Sequence, residues 1–461
     1  MRKIIFHLRT ILPTALLLSG AASCKKFVQV DPPQTQVVSS VVFGEAGTAT
    51  NAVLSIYGSF SSSASSFVAD LDLSQSADEL NGYAGLPNYY TNSLSSLTND
   101  DFWSPYYKMI SRANTVQAGI AASTALTPAL TQQLTGETVF LRAFFHFYLL
   151  NLFGDIPYIN SNAYQDASDV ARMPATQVYP KIVADLQLAK LLLTDSFPDA
   201  NNQSSVERVR PNRGAAHAML ARVYLYMKDW KDAILEADSV IGNTGNYGLV
   251  TDLTQVFHKN SRETIWALQP SSATYSNGYA GYTFILSQPP SNARPVAISD
   301  ALYNAFEPND QRKVNWVGTY QTWYYPYKYR VGTLLQPTSE YEMVLRLAET
   351  YLIRAEASAQ ANDLSTAASD LNVIRTRAGL GATTASTQAV LLAAIQHERQ
   401  VELFTEWGHR WLDLKRWGIA DAVMAPVKGS NWQTTDQLFP IPQTQLNLDP
   451  AMTNAQNPGY N

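Results

Sequence analysis

Apolar residues recur at spacings of three and four along much of this chain, and that spacing predicts helices. From Phe43 onward, Ala49, Val53, Ile56, Tyr57 and Phe60 share one helical face. Further helices are expected from about Asp101 to Ser123 and from Ala175 to Leu193. The segment ETVFLRAFFHFYLLNLF, Glu137 to Phe153, is apolar around most of its circumference, which predicts a helix buried on all sides. Gly154 ends it and Pro157 prevents its continuation. Between Ser61 and Asn99 the periodicity breaks into Ser, Asn and Gly, which predicts a long functional loop region. Residues 25–42 read as a tether followed by extended chain.

Two later segments share an internal pattern. Leu220, Ala221, Tyr224, Ala233, Ala237 and Val240 fall on the spacing of a tetratricopeptide repeat, in which small residues let antiparallel helices approach closely. Ala355, Ala367, Leu371 and Ile374 repeat those offsets, with Ser358 in place of the tyrosine and Arg354 in place of the leucine. Two dispersed copies predict helix–turn–helix units separated by a long insertion.

Aromatic residues concentrate in one stretch of that insertion. Residues 316–329 (WVGTYQTWYYPYKY) hold seven aromatics, against an average of 11% for the chain. Trp323, Tyr325, Tyr327 and Tyr329 alternate, as one face of a buried strand does. Trp316, Tyr320, Trp323 and Tyr324 lie nearer the loop and are candidate ligand contacts, since flat rings offer apolar area at low entropic cost. A second candidate patch, DELNGYAGLPNYY, combines Asp78, Asn81 and Asn88 with Tyr83, Tyr89 and Tyr90, the mixed chemistry of a ligand cleft. A third, Tyr275 to Phe284, is rich in Gly and Tyr.

Composition narrows the classes. Charged residues make up 15% of the chain and the formal net charge is −5, so there is no electrostatic footprint for nucleic acid. Glu398, Glu402 and Glu406 are four apart and line one helical face, with His409 and Asp413 just beyond. They read as a structural charge network neutralised by Arg399, Arg410, Lys415 and Arg416, rather than as acid/base or metal-binding groups. No HExxH, GxSxG or phosphate-loop motif occurs, so no catalytic residue, metal site or cofactor is expected.

The single cysteine, Cys24, stands where a leader ends. Arg2, Lys3 and Arg9 form a positive start, Ile11 to Leu18 a short apolar core, and Gly20 to Ser23 a run of small residues. The apolar core is about half the roughly 20 residues a spanning helix needs, so residues 1–23 read as a cleaved signal peptide. Cys24 then reads as the acylation site of a lipoprotein; the other reading is ordinary cleavage near Ala22 with a free thiol left behind.

Five passages resemble the SusD/RagB family of outer-membrane nutrient-binding lipoproteins. They are CKKFVQVDPPQTQ at 24–36, FLRAFFHFYLLNLFGDIPYI at 140–159, and RPNRGAAHAMLARVYLYMKDWKDAILEADSVI at 210–241. The fourth is 346–380 with 395–418, and the last is FPIPQTQLNLDPAMTNAQNPGY at 439–460. The resemblance implies a mostly α fold, with tetratricopeptide-like helix pairs packed against an irregular, loop-rich half with minor β structure. It implies one domain over 24–461, with an N-terminal part at 24–245 and a C-terminal part at 260–461. It also implies lipidation at Cys24, a place on the outer membrane, and a SusC-like TonB-dependent transporter as partner. The implied role is non-catalytic capture of an oligosaccharide; a peptide ligand, or a transporter lid with little affinity of its own, are the alternatives.

Overall fold

The computed structural model describes residues 39–62, 67–83, 87–162, 169–272 and 274–460. The leader, Cys24 and residues 25–38 lie outside the described residues; Ser39–Val42, read as extended chain, forms a short helix.

Helices dominate, and the long ones pack in sequence. Trp103–Ala122 lies against Pro128–Phe153, which lies against Ala175–Leu192, which lies against Arg213–Met227. That helix pairs with Trp230–Ile241, whose next neighbour is Leu347–Gln360, paired in turn with Leu364–Arg377. The two tetratricopeptide-like pairs are therefore adjacent in space, and the intervening residues form an excursion from a continuous helical array. Ala221, Ala233, Ala355 and Ala367 are fully buried, as close helix approach requires. Asp229 and Asp363 cap the second helix of each pair by accepting the backbone N–H of Asp232 and Thr366.

Pro128–Phe153 is the central helix. Thr127 caps it by accepting from the Leu130 N–H with Pro128 at the first turn, and Gly154 leaves it at φ 74°. From Gly136 to Leu150 every residue is buried. Phe144, Phe145 and Tyr148 join Phe60, Tyr106, Trp266 and Trp407 in an aromatic core built from five segments, mostly by edge-to-face contacts. No described helix is long and apolar enough to cross a membrane.

The excursion carries the β structure. Thr264–Leu268 pairs antiparallel with Glu342–Arg346 and ties its two ends to the helical array. Leu80–Gly82 pairs with Val296–Ile298, and Val317–Tyr320 with Trp323–Pro326.

The region read as a long polar loop is different. It contains helix Val68–Ser76, in which Asp70, Asp72, Ser74, Gln75 and Ser76 are buried. The Asp70 carboxylate accepts the Trp407 N–H at 2.5 Å, and the buried Gln75 carbonyl accepts from Lys428 Nζ. Polar composition here reflects partners that lie more than 330 positions away, a signal that local periodicity does not contain.

Candidate functional site

The projecting hairpin organises the candidate ligand surface. Tyr320 stands opposite Trp323 across a two-residue turn, in which Gln321 takes φ 52°. Directly opposed residues share a face of a ladder. Their rings are stacked at 24° with centroids 6.5 Å apart, and both are half-buried. Two positions along the same face, Gly318 opposes Tyr325. A Cβ at 318 would lie 2.2 Å from the Tyr325 ring, so the ring occupies the space a side chain would need. Tyr324 belongs to the other face, where it stacks on Tyr303 at 3.7 Å and 13°, with Lys313 Nζ 3.7 Å from the Tyr303 centroid.

A second wall comes from the third predicted patch. Tyr275, Tyr279 and Tyr282 cluster, with centroids 4.1 and 5.2 Å apart for the pairs that involve Tyr275. Arg294 lies 5.5 Å over the Tyr282 ring and donates to the carbonyl of Ile285 and, at 2.8 Å, to that of Gly332. Beyond Arg294, the Pro295 carbonyl accepts the Tyr83 N–H at 2.8 Å, and Val296–Ile298 packs against Trp323–Pro326. The strand Val296–Ile298 thus neighbours both part of the 78–90 patch and the 316–329 patch, where it packs against the Val317 and Tyr324 side of the hairpin. Tyr83 is 51% exposed, and Asn81 is half-buried on the strand paired with Val296–Ile298.

Four of the nine candidate ligand contacts have other roles. Asp78 is buried and held by both forks of the Arg410 guanidinium at 2.7 and 2.8 Å. Tyr89 is buried against Phe102 and Phe439, its hydroxyl donating to Asp101 at 2.7 Å. Tyr90 is half-buried under Lys428 Nζ, 4.3 Å from its ring. Trp316 is fully buried; its indole N–H donates to the Leu253 carbonyl at 2.8 Å, and Lys328, Arg346 and Arg377 surround its ring. Of the four alternating residues, only Tyr329 is buried, and it lies in a bend past the end of the strand; Trp323, Tyr325 and Tyr327 are half-buried. Arg294 was not singled out from sequence, since a lone arginine in the Ser/Pro-rich segment 287–295 carries no local signal.

The glutamate ladder is a charge network, but with different partners from those expected. Arg312 bonds Glu398 at 2.6 Å and Glu402 at 2.9 Å; Arg346 bonds Glu402 at 2.7 Å and Glu406 at 2.6 Å. Arg377 and Lys328 complete it, on Glu402 and Glu406. Burial alone would raise the Glu402 pKa, but the guanidiniums of Arg377, Arg346 and Arg312 outweigh it and hold the carboxyl well below its usual range. Of the predicted neutralisers, Arg399 and Arg416 serve Asp413, Arg410 serves Asp78, and Lys415 donates to the Asn151 carbonyl. Carboxylates so matched are not free for proton transfer. Glu307, His397 and Glu398 place ligand atoms within 4.8 Å of one another, but Arg375 bonds both carboxylates and already supplies the cation.

Residues 273–460 match the model of the SusD family, and residues 44–225 match a SusD-like model described as starch-binding, associating with the outer membrane. The chain belongs to the SusD/RagB family. Among curated members, SusD-like protein P2 of Formosa agariphila is 29% identical over 426 residues, covering 78% of this chain and 80% of that protein. SusD-like protein P25 of the same organism is 23% identical, covering 98% and 99%. The fold is that of solved SusD-like proteins. A laminarin-binding SusD-like protein superimposes with TM-score 0.73 at 24% identity, covering 90% of this chain and 99% of its own. Surface glycan-binding protein A of Bacteroides thetaiotaomicron gives 0.75 at 20%, covering 90% and 100%. The mostly α SusD-like fold is thus established, with the helical array as its scaffold and the aromatic face on the loop-rich half.

Proposed function

We propose that this SusD/RagB chain is a non-catalytic outer-membrane lipoprotein that captures an oligosaccharide and delivers it to a SusC-like TonB-dependent transporter. The observation that carries the reading is the stacked Tyr320–Trp323 pair at the tip of a projecting hairpin, with Tyr325 continuing the same face. Parallel half-exposed rings present apolar planes to the C–H faces of sugar rings, while Tyr hydroxyls and the Trp N–H supply polar edges. Relatives of the same fold that bind laminarin and surface glycans support the choice of saccharide over peptide. In this reading, Asn81, Tyr83, Tyr320, Trp323 and Tyr324 contribute to the ligand face, Tyr324 by bracing the hairpin on Tyr303. Residues 1–23 direct export, Cys24 carries the acyl anchor, and residues 24–461 form a single domain exposed at the cell surface. Two acyl chains or more hold a protein stably on a bilayer where one does not.

Isothermal titration of the purified chain against glycan and peptide panels tests the binding role. Saturable heat with a glycan and none with peptides is expected; peptide binding alone, or product released from a bound glycan, would overturn it. Transporter pairing is read separately, by co-purification of a TonB-dependent barrel from solubilised outer membrane.

A further inference from the structure

The ligand face continues into an open groove of about 600 Å³, between segment 285–294 and segment 330–339. Arg294, Arg330, Gln336, Ser287, Thr333 and Ser339 supply its polar lining, and no carboxylate is among the described lining residues. Two guanidiniums without an acid is an unusual balance for a chain of net charge −5. Several core arginines are matched to carboxylates, Arg142 to Asp185, Arg210 to Glu137 and Arg222 to Glu349, whereas Arg208 is held by the Thr264 and Asn246 carbonyls. Arg294 instead bonds the Ile285 and Gly332 carbonyls and the Ser287 hydroxyl. Arg330 hydrogen-bonds the Asn315 carbonyl at 3.0 Å and lies over the Tyr327 ring at 4.7 Å, with no carboxylate among the described residues bonded to it.

Glu340 and Asp252 feel the Arg330 charge through space, but neither is bonded to Arg294 or Arg330. Glu340 is buried, and its two oxygens are occupied by the backbone N–H groups of Arg330 and Val331 at 2.7 and 3.1 Å. Asp252 is exposed and bonded by Thr254. Planar guanidinium forks pair best with planar or tetrahedral oxyanions, to which they donate two parallel hydrogen bonds. Arg294 also ties the groove to the platform, since it lies over Tyr282 and its charge acts on the Tyr325 hydroxyl.

We infer that Arg294 and Arg330 receive an acid group of the bound saccharide, so that the ligand is an anionic glycan bearing carboxylate or sulfate groups. This rests on the glycan-binding reading above and narrows its substrate class. The rings of the hairpin hold the sugar faces, and the two arginines select the chains that carry charge.

The test is titration of the purified full chain with three length-matched oligomers: an oligogalacturonate, a sulfated galactan and a neutral laminarin fragment. At least tenfold tighter binding of one acidic oligomer is expected, and raising NaCl to 0.5 M should erase most of that margin. Which acidic arm binds identifies carboxylate or sulfate as the recognised group. Arg330→Gln should weaken the acidic oligomer at least tenfold while leaving any neutral binding unchanged, and Arg294→Gln should weaken the acidic oligomer at least tenfold. Because Arg294 also braces two loops, Arg294→Lys serves as its control: it retains charge without the fork and should fall between parent and Gln variant. Equal or tighter binding of the neutral fragment overturns this inference alone, as does undiminished acidic binding by both Gln variants. Binding of none of the three overturns the glycan reading with it.

Discussion

Trp316 and Trp323 are seven residues apart, yet alanine at each should break a different property of the protein. Trp316 is fully buried, with Phe257 edge-on at 5.6 Å and an indole N–H that satisfies the Leu253 carbonyl. Lys328 Nζ lies 5.0 Å from its centroid, and the Arg377 and Arg346 guanidiniums 5.7 and 6.0 Å. Trp316→Ala removes the burial, opens a cavity and takes an apolar wall from three cations, for a loss of about 3–5 kcal/mol. That is a large share of the roughly 5–15 kcal/mol that holds a typical domain folded. Trp323 is half-buried on a hairpin tip, so Trp323→Ala should cost less than about 1 kcal/mol of stability. Its cost should appear in binding, where loss of a stacking platform is worth about 1–3 kcal/mol, or roughly five- to 150-fold in Kd. Urea titration followed by fluorescence reads the first effect and isothermal titration with the bound oligosaccharide reads the second. The reasoning fails if Trp316→Ala keeps the parent urea midpoint, or if Trp323→Ala binds as tightly as the parent.

Three other outcomes are expected. Gly318→Val, which drives a side chain into the Tyr325 ring, should weaken glycan binding about as much as Trp323→Ala; parent affinity would show that the ring is free to move. Arg346→Met leaves Glu402 and Glu406 short of a buried cation and should destabilise by about 3–5 kcal/mol, read by the urea midpoint; a neutral result would mean that Arg377, Arg312 and Lys328 suffice. Burial lifts the Glu79 carboxyl from 4.5 to about 7, so below pH 4.5 its contribution to stability is fully present. As pH rises towards 7 the unfolded state ionises first, and up to about 3 kcal/mol is lost. Glu79→Gln, neutral at every pH, should flatten the fall in urea midpoint between pH 5 and 7.5; a profile parallel to the parent's would show that Glu79 is not its source.

The parts of the fold legible in sequence are those whose signal is local. The all-round apolar run from Glu137 to Phe153 is the central helix, and the offsets shared by Ala221–Ala233 and Ala355–Ala367 mark pairs that do stack. The spacing alone did not show that these pairs touch, because the residues between them depart from the array and return. The polar stretch after Ser61 misled because Asp70 and Asp78 are met by Trp407 and Arg410, which no window of sequence contains. The same limit applies to the ligand face. Aromatic density pointed to the hairpin, yet whether a ring faces solvent or three buried cations is decided by tertiary packing, as Trp316 shows.

That dependence of early residues on late ones sets an order of events. Asp78 meets Arg410 across 332 positions, and the Gln75 carbonyl meets Lys428 across 353. At about 5–20 residues per second of synthesis, the partner of Asp78 emerges roughly 17 to 66 s after Asp78 itself. Throughout that interval, the polar helix Val68–Ser76 and the Asp78 that follows it have water where these bonds will form and no reason to bury themselves. A chain cut short before Arg410 could complete most of the helical array and still never close its binding face. Quality control at that stage would therefore have to recognise a molecule that is well folded on one side only.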